Sequence, residues 1–183
     1  MNIPQSDFYL REGNELVVKT TRDLLDGKRT VILMVPGAFT PTCTNQLPAF
    51  EAAYDDFTAK GVEQVLCVSV NDGFVMNAWG ESLGIKNVKM IPDGNGTFTN
   101  GVQALVDKGN VGMGSRSWRI ALILNEQGMV EWAGVEEGKR SFASDDPYEA
   151  TTPEKVLEAI DLVEAAKAQA AAAEAQALAQ AAE

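Results

Sequence analysis

The sequence predicts an α/β protein with a mixed central β-sheet flanked by helices. Three observations predict it. Thr30–Val35 is a continuous apolar and β-branched run and Val62–Val70 is built around the apolar stretch Val65–Val68, the pattern of strands covered on both faces. The stretches between and after them carry helical spacing, which gives a β-α-β alternation. Further on, Trp118–Leu124 and Met129–Val135 flank Gln127-Gly128 as an antiparallel hairpin would, so parallel and antiparallel strands must share the sheet.

Around this centre the chain reads in order. Phe8 to Val18 alternates about Glu12-Gly13-Asn14, a short N-terminal hairpin. Thr20 or Thr21 caps a brief helix ending at Gly27. After the bend Pro36-Gly37, a helix runs from about Thr42 to Lys60, with Leu47, Phe50, Ala53 and Tyr54 on its inner face and Pro48 as an expected kink. Phe74 to Leu83 is a second helix and Val88 to Ile91 a third strand, closed by the turn Pro92-Asp93-Gly94. A further helix covers part of Thr97 to Val106. Pro153 opens the last helix, with Val156, Leu157, Ile160 and Val163 on the face that docks. From Glu164 the chain turns to alanine with scattered Lys, Gln and Glu and almost no apolar stripe apart from Leu178. This divides the chain into a domain at 1–163 and a helical or frayed, projecting extension at 164–183.

Composition narrows the chemistry. The 183 residues contain no histidine, so imidazole bases, His-built metal sites and Cys-His or Ser-His-Asp mechanisms are excluded. A formal charge of −11 opposes nucleic acid and anionic membrane as partners. Cys43 and Cys67 are the two cysteines and share no local motif, which leaves neither a disulfide framework nor a four-cysteine zinc site and points to a reducing compartment. No metal or cofactor is expected. Met1 to Arg11 lacks a basic segment followed by an apolar run, and nowhere do 18 apolar residues stand together. The expected location is the cytoplasm.

Cys43 follows a buried strand in the turn that opens a helix, where free backbone N–H groups and the helix dipole favour a thiolate. An average cysteine is an inert core thiol. The run Pro36-Gly37-Ala38-Phe39-Thr40-Pro41-Thr42-Cys43 argues against that here, because two prolines, a glycine and two hydroxyls fix a rigid turn where a core position needs only apolar filling. With no histidine, the remaining stabilisation must come from a permanent cation able to hold a thiolate and a polar oxygen substrate together. Arg116 and Arg119 on the later hairpin are the candidates, and their positions do not choose between them.

Pro36, Thr40 and Cys43 show the spacing Pro-x-x-x-Thr-x-x-Cys, and here the chain resembles the peroxiredoxins, in particular their type-five subfamily. The resemblance extends through Cys67-Val68-Ser69-Val70-Asn71-Asp72, Phe74 to Trp79, Ile91-Pro92-Asp93-Gly94 and Arg116-Ser117-Trp118-Arg119, to about Leu162. It implies a thioredoxin-like fold and peroxide reduction through a sulfenic acid, in the service of antioxidant defence and redox homeostasis. It assigns Cys43 as the attacking cysteine and Arg119 as the arginine that holds thiolate and peroxide, with Arg116 supporting. Thr40 would hydrogen-bond the thiolate or peroxide, Pro36 would shield the sulfur, and the backbone N–H groups of Thr42 and Cys43 would bind peroxide oxygen. It also implies a compact homodimer, with Phe74, Met76 and Trp79 partly exposed at the interface.

Two departures from that pattern stand out. Cys43-Thr44-Asn45-Gln46-Leu47-Pro48 is one residue shorter than is usual for the subfamily and lacks a histidine before the leucine. The stretch Gly138 to Asp146, where some relatives carry cysteines, has none. Cys67 lies mid-strand between Leu66 and Val68 and is expected to be inert. The expected cycle therefore uses one cysteine and an external thiol, glutathione with glutaredoxin or thioredoxin. A disulfide oxidoreductase would need Cys-x-x-Cys, and residue 40 is threonine. A holdase or peroxide sensor using the alanine-rich extension is the reading from another functional class.

Overall fold

The computed structural model describes residues 3–181. Nine strands and six α-helices follow in the order β1 (Asp7–Glu12), β2 (Glu15–Thr20), α1 (Thr21–Leu25), β3 (Thr30–Val35), α2 (Pro41–Ala52), α3 (Tyr54–Ala59), β4 (Gln64–Ser69), α4 (Gly73–Ser82), β5 (Lys89–Pro92), α5 (Thr97–Gly101), β6 (Leu105–Asp107), β7 (Ser115–Ser117), β8 (Ile120–Leu124), β9 (Val130–Val135) and α6 (Pro153–Ala181). The central sheet has the order β5-β4-β3-β8-β9. β3 pairs parallel with β4 and antiparallel with β8, so the sheet is mixed as expected and the fold is thioredoxin-like.

β3 is buried at every residue, and alternation sends its side chains to two cores. Val31, Leu33 and Val35 face Leu47 and Phe50 of α2, Phe57 of α3, Met76 and Trp79 of α4, and Val156 and Ile160 of α6. Ile32 and Met34 face the layer that contains Phe8, Leu24, Phe98 and Trp118. Each such side chain contributes roughly 1.5–3 kcal/mol when fully buried. Cys43 and Cys67 both belong to the first core.

Local chemistry accounts for most boundaries. Thr20 and Asp23 form a reciprocal capping box that starts α1, and the Asp72 carboxylate accepts the Val75 N–H to start α4. The predicted helix over Thr42–Lys60 is two helices. It passes Pro48 and is interrupted at Ala53, because a proline removes one hydrogen bond while the flanking Leu47 and Phe50 stay packed in the core. The segment after α5 forms β6, which pairs with β7 in a separate two-stranded ribbon. Trp118 and Arg119 therefore lie between β7 and β8 and not within one long strand.

The last helix is continuous to Ala181, and its surface is exposed from Glu164 onward. Its first extension turn is tied down by charge. Arg29, which is buried, pairs with Glu164 at 2.5 Å and Glu131 at 3.4 Å, and Lys167 pairs with Glu131 at 2.6 Å. Among the described residues no helix is long and apolar enough to cross a membrane.

Candidate active site

The site begins with the turn between β3 and α2. Gly37 is closely approached there, since a Cβ would stand 2.9 Å from the flexible end of Met113 at Cε and 3.3 Å from Thr40 Cγ2. Phe39 adopts a left-handed backbone with φ 63°, a conformation that costs of order 1–3 kcal/mol in a residue other than glycine. The loop is held from the end of β4, where Asn71 Oδ1 accepts the Ala38 N–H at 3.0 Å and the Ser69 hydroxyl at 2.7 Å. Pro36 is buried in the same turn.

Thr40 is the N-cap residue of α2, but its side chain makes no capping bond. Its hydroxyl donates to the Gly37 carbonyl at 2.9 Å. Pro41 is the first helical residue and Cys43 the third, so the N–H groups of Thr42 and Cys43 fall in the turn that has no intrahelical acceptors. Cys43 has no solvent exposure.

Facing it is Arg119, 1% exposed, placed where the chain crosses from the ribbon to the sheet. Its Nη1 donates to Cys43 Sγ at 3.5 Å and to Gln46 Oε1 at 2.6 Å. Nη2 donates to Asp146 Oδ1 at 2.6 Å and Nε to the Pro147 carbonyl at 3.0 Å. Burial opposes the guanidinium charge, yet the Cys43 sulfur and the Asp146 carboxylate outweigh it and raise Arg119 above its ordinary value. Tyr148 lies beside the guanidinium, 5.8 Å from ring centroid to Cζ. Burial and the Glu154 charge push its phenol up to about 12 against the opposing pull of Arg119.

Further hydrogen bonds hold Gln46 and the chain behind it in place. Gln46 Nε2 donates to the Thr151 carbonyl at 3.1 Å and its Oγ1 at 3.2 Å. The buried Glu136 carboxylate accepts the backbone N–H groups of Glu149, Ala150 and Thr151 at 2.9–3.0 Å, and the Thr151 hydroxyl at 2.8 Å.

The structure thus brings Pro36, Thr40, Thr42, Cys43 and Arg119 together. Arg119 is a buried charge. Arg116 points elsewhere: its Nη1 donates to the Val70 carbonyl at 2.9 Å and its Nε to the Met113 carbonyl at 2.8 Å, which braces the turn after β6 against the end of β4. Gln46, Asp146, Glu136 and Thr151 were not singled out from sequence. Gln46 carried a signal, since three residues after Cys43 places it on the same helix face. Of the aromatic and methionine cluster, Met76 and Trp79 are buried while Phe74 is exposed beneath the Arg11 guanidinium.

Cys67 has a different environment. Burial above all, then the neighbouring Cys43 sulfur, pushes its thiol far above its ordinary value, with Arg119 opposing.

A cysteine on the first turn of a helix, in contact with a buried arginine on a thioredoxin-like sheet, defines a thiol-based redox protein. The redoxin family profile matches residues 3–151. The chain is 49% identical over 151 residues to the peroxiredoxin y4vD of Sinorhizobium fredii, covering 82% of this chain and 80% of that one. It is 40% identical to the hybrid peroxiredoxin hyPrx5 of Haemophilus influenzae, covering 85% and 63%. Among solved structures, a crystallographic peroxiredoxin superposes with a TM-score of 0.84 at 32% identity, covering 88% of this chain and 96% of that one. The 1-Cys peroxiredoxin antioxidant protein of Plasmodium falciparum gives 0.81 at 31%, covering 86% and 96%. The chain belongs to the redoxin family as a peroxiredoxin, a thiol-dependent peroxidase that takes peroxide as substrate and a thiol as reductant.

Proposed function

We propose that the protein reduces hydrogen peroxide and organic hydroperoxides by a one-cysteine cycle at Cys43, as a member of the type-five subfamily. The observation that carries this reading is the 3.5 Å contact between Arg119 Nη1 and Cys43 Sγ at the start of α2. The Cys43 thiolate attacks one peroxide oxygen in line with the O–O bond. That bond breaks, and the leaving alkoxide or hydroxide takes a proton to become alcohol or water. The sulfur is left as sulfenic acid. Donors aimed at both oxygens lower the barrier by meeting the charge as it develops. Arg119 and the Thr42 and Cys43 N–H groups are the candidates for that task, with Thr40 turning its hydroxyl from Gly37 toward the substrate and Pro36 keeping water from the sulfur. Arg116 supports the site by bracing the Met113 turn.

An external thiol then displaces water from the sulfenic acid to give a mixed disulfide, and a second thiol releases Cys43. Glutathione with glutaredoxin, or thioredoxin, fills this role. The burial of Cys67 and the absence of cysteine between Gly138 and Asp146 support the one-cysteine cycle. The protein works in the cytoplasm as a homodimer, to which the exposed Phe74 contributes, with residues 1–163 as the peroxidase domain and 164–183 as an extension. Rapid mixing of the reduced protein with hydrogen peroxide, followed by tryptophan fluorescence and intact mass, tests the reading. Fast gain of one oxygen at Cys43 supports it; reaction at the rate of a free thiol overturns it.

A further inference from the structure

The segment from Ala143 to Thr151 has no regular secondary structure, yet it is tied down along its length. Lys108, itself buried and lying over the Trp118 ring, donates to the carbonyls of Ala143 and Asp145 at 3.2 Å each. Glu136 collects the N–H groups at the other end. Between these anchors the segment meets Arg119 twice, through the Asp146 carboxylate and the Pro147 carbonyl.

Four of the five guanidinium N–H groups are thereby engaged: two at Nη1 with Cys43 and Gln46, one at Nη2 with Asp146, one at Nε with Pro147. Gln46 holds Nη1 and the Pro147 carbonyl holds Nε. Asp146 adds a charged contact at a third nitrogen, Nη2, and completes the set that aims Nη1 at the sulfur. A buried cation also needs a buried or half-buried anion beside it. The thiolate meets that need only until the sulfur is oxidised to the neutral sulfenic acid. The Asp146 carboxylate, which the reaction does not consume, is the loop's counter-charge to Arg119 at 2.6 Å.

We propose that Asp146 is the positioning residue of the site, a carboxylate on a loop that aims Arg119 at Cys43 and keeps it there after the sulfur has been oxidised. This rests on the role given to Arg119 above. The neighbouring Asp145 supplies a built-in control, because it pairs instead with the exposed Arg140, a contact of the kind that contributes little.

The test compares Asp146→Ala, Asp146→Asn, Asp145→Ala and Arg119→Lys, each checked for native circular dichroism. Two rates are read for each: sulfenic acid formation with hydrogen peroxide and alkylation of Cys43 by iodoacetamide. Misaiming a catalytic group by about an ångström costs on the order of 100-fold. Asp146→Ala is expected to slow the peroxide reaction about 30- to 100-fold while alkylation stays within about threefold. Asp146→Asn, whose amide oxygen still accepts from Nη2 but carries no charge, is expected to recover part of the rate, and Asp145→Ala to match the native protein. Should Asp146→Ala not fold, Asp146→Ser, too short to reach Nη2, takes its place with the same expectation. A native peroxide rate in the Ala or Ser variant overturns the proposal. So does an equal loss in Asn and Ala, or an alkylation rate that falls in step with the peroxide rate. If Arg119→Lys itself leaves the peroxide rate unchanged, the reading of Arg119 fails; if Arg119→Lys is slow and Asp146→Ala is native, only the role of Asp146 does.

Discussion

Cys43 and Cys67 sit in the same core, both with zero exposure, and differ in what surrounds the sulfur. Cys67 is in the middle of β4, paired with Leu33 and Met90 across the sheet, where burial pushes the thiol up and holds it neutral. Cys43 is on the first turn of α2, with a guanidinium 3.5 Å away and backbone donors around it. Burial therefore does not separate a reactive cysteine from a structural one. What differs is a fixed positive partner beside Cys43, without which an ionised sulfur is expensive in a medium of low dielectric.

The sharpest test of the contrast removes each sulfur in turn. Cys43→Ser is expected to abolish turnover, with residual peroxide consumption at least about 1,000-fold below native, since a neutral hydroxyl does not attack an O–O bond at neutral pH. Coupled peroxidase assays with saturating reductant measure it. Turnover above about a tenth of native would mean that the chemistry is elsewhere.

Removing the partner comes next in size. Arg119→Gln keeps a donor of similar reach but takes away the charge, and loss of one aimed donor typically costs about 100- to 1,000-fold. Sulfenic acid formation in single-turnover mixing is expected to slow by that factor. Arg116→Gln, whose guanidinium braces backbone carbonyls and does not touch the sulfur, is expected to cost no more than about 10-fold, through displacement of the Met113 turn. Equal losses in the two variants would break the assignment of Arg119 as the partner.

These same residues show what could be read in advance. The central strands were legible because β3 and β4 are apolar on both faces, and the placement of Cys43 at the opening of a helix because a turn holding Pro36, Gly37 and Pro41 precedes it. The division of α2 from α3 was not, since Pro48 is the conspicuous breaker and the interruption falls at Ala53, a residue with no breaking chemistry of its own. The ribbon of β6 and β7 was missed because its strands are three residues long, too short for alternation to register. Asp146 and Glu136 left no trace for a different reason: they act across the fold on residues 27 and 15 positions away, and an acidic residue in a polar stretch gives no hint of the cation or the backbone N–H groups it will meet.

Cys67 also leaves a signature in stability. A thiol held neutral in the folded state and free to ionise in the unfolded one stabilises the fold fully below the ordinary thiol range. That stabilisation is lost as pH rises above about 8.5, because the unfolded chain then gives up a proton that the folded chain keeps. Between pH 8.5 and 10.5 the native protein should lose about 2 kcal/mol more unfolding free energy than Cys67→Ala, measured by urea titration at each pH. Parallel slopes would mean that Cys67 ionises in place.

The smallest expected effect is the most exacting. Cys67→Ala should keep peroxide turnover within about twofold at pH 7, because a neutral thiol mid-strand takes no part in the chemistry, while losing about 1 kcal/mol of stability from the small void left between β4 and α2. Both quantities must be measured on one preparation, since a destabilised enzyme assayed near its unfolding transition loses activity for reasons unrelated to chemistry. Reduced turnover in a variant still fully folded at the assay temperature would mean that Cys67 exchanges with oxidised Cys43, and the one-cysteine cycle would give way to an internal disulfide. The strand opposes that exchange: Cys67 lies in the middle of β4, paired on both sides, which limits how far its sulfur can move toward Cys43, whereas an incoming thiol brings its own mobility.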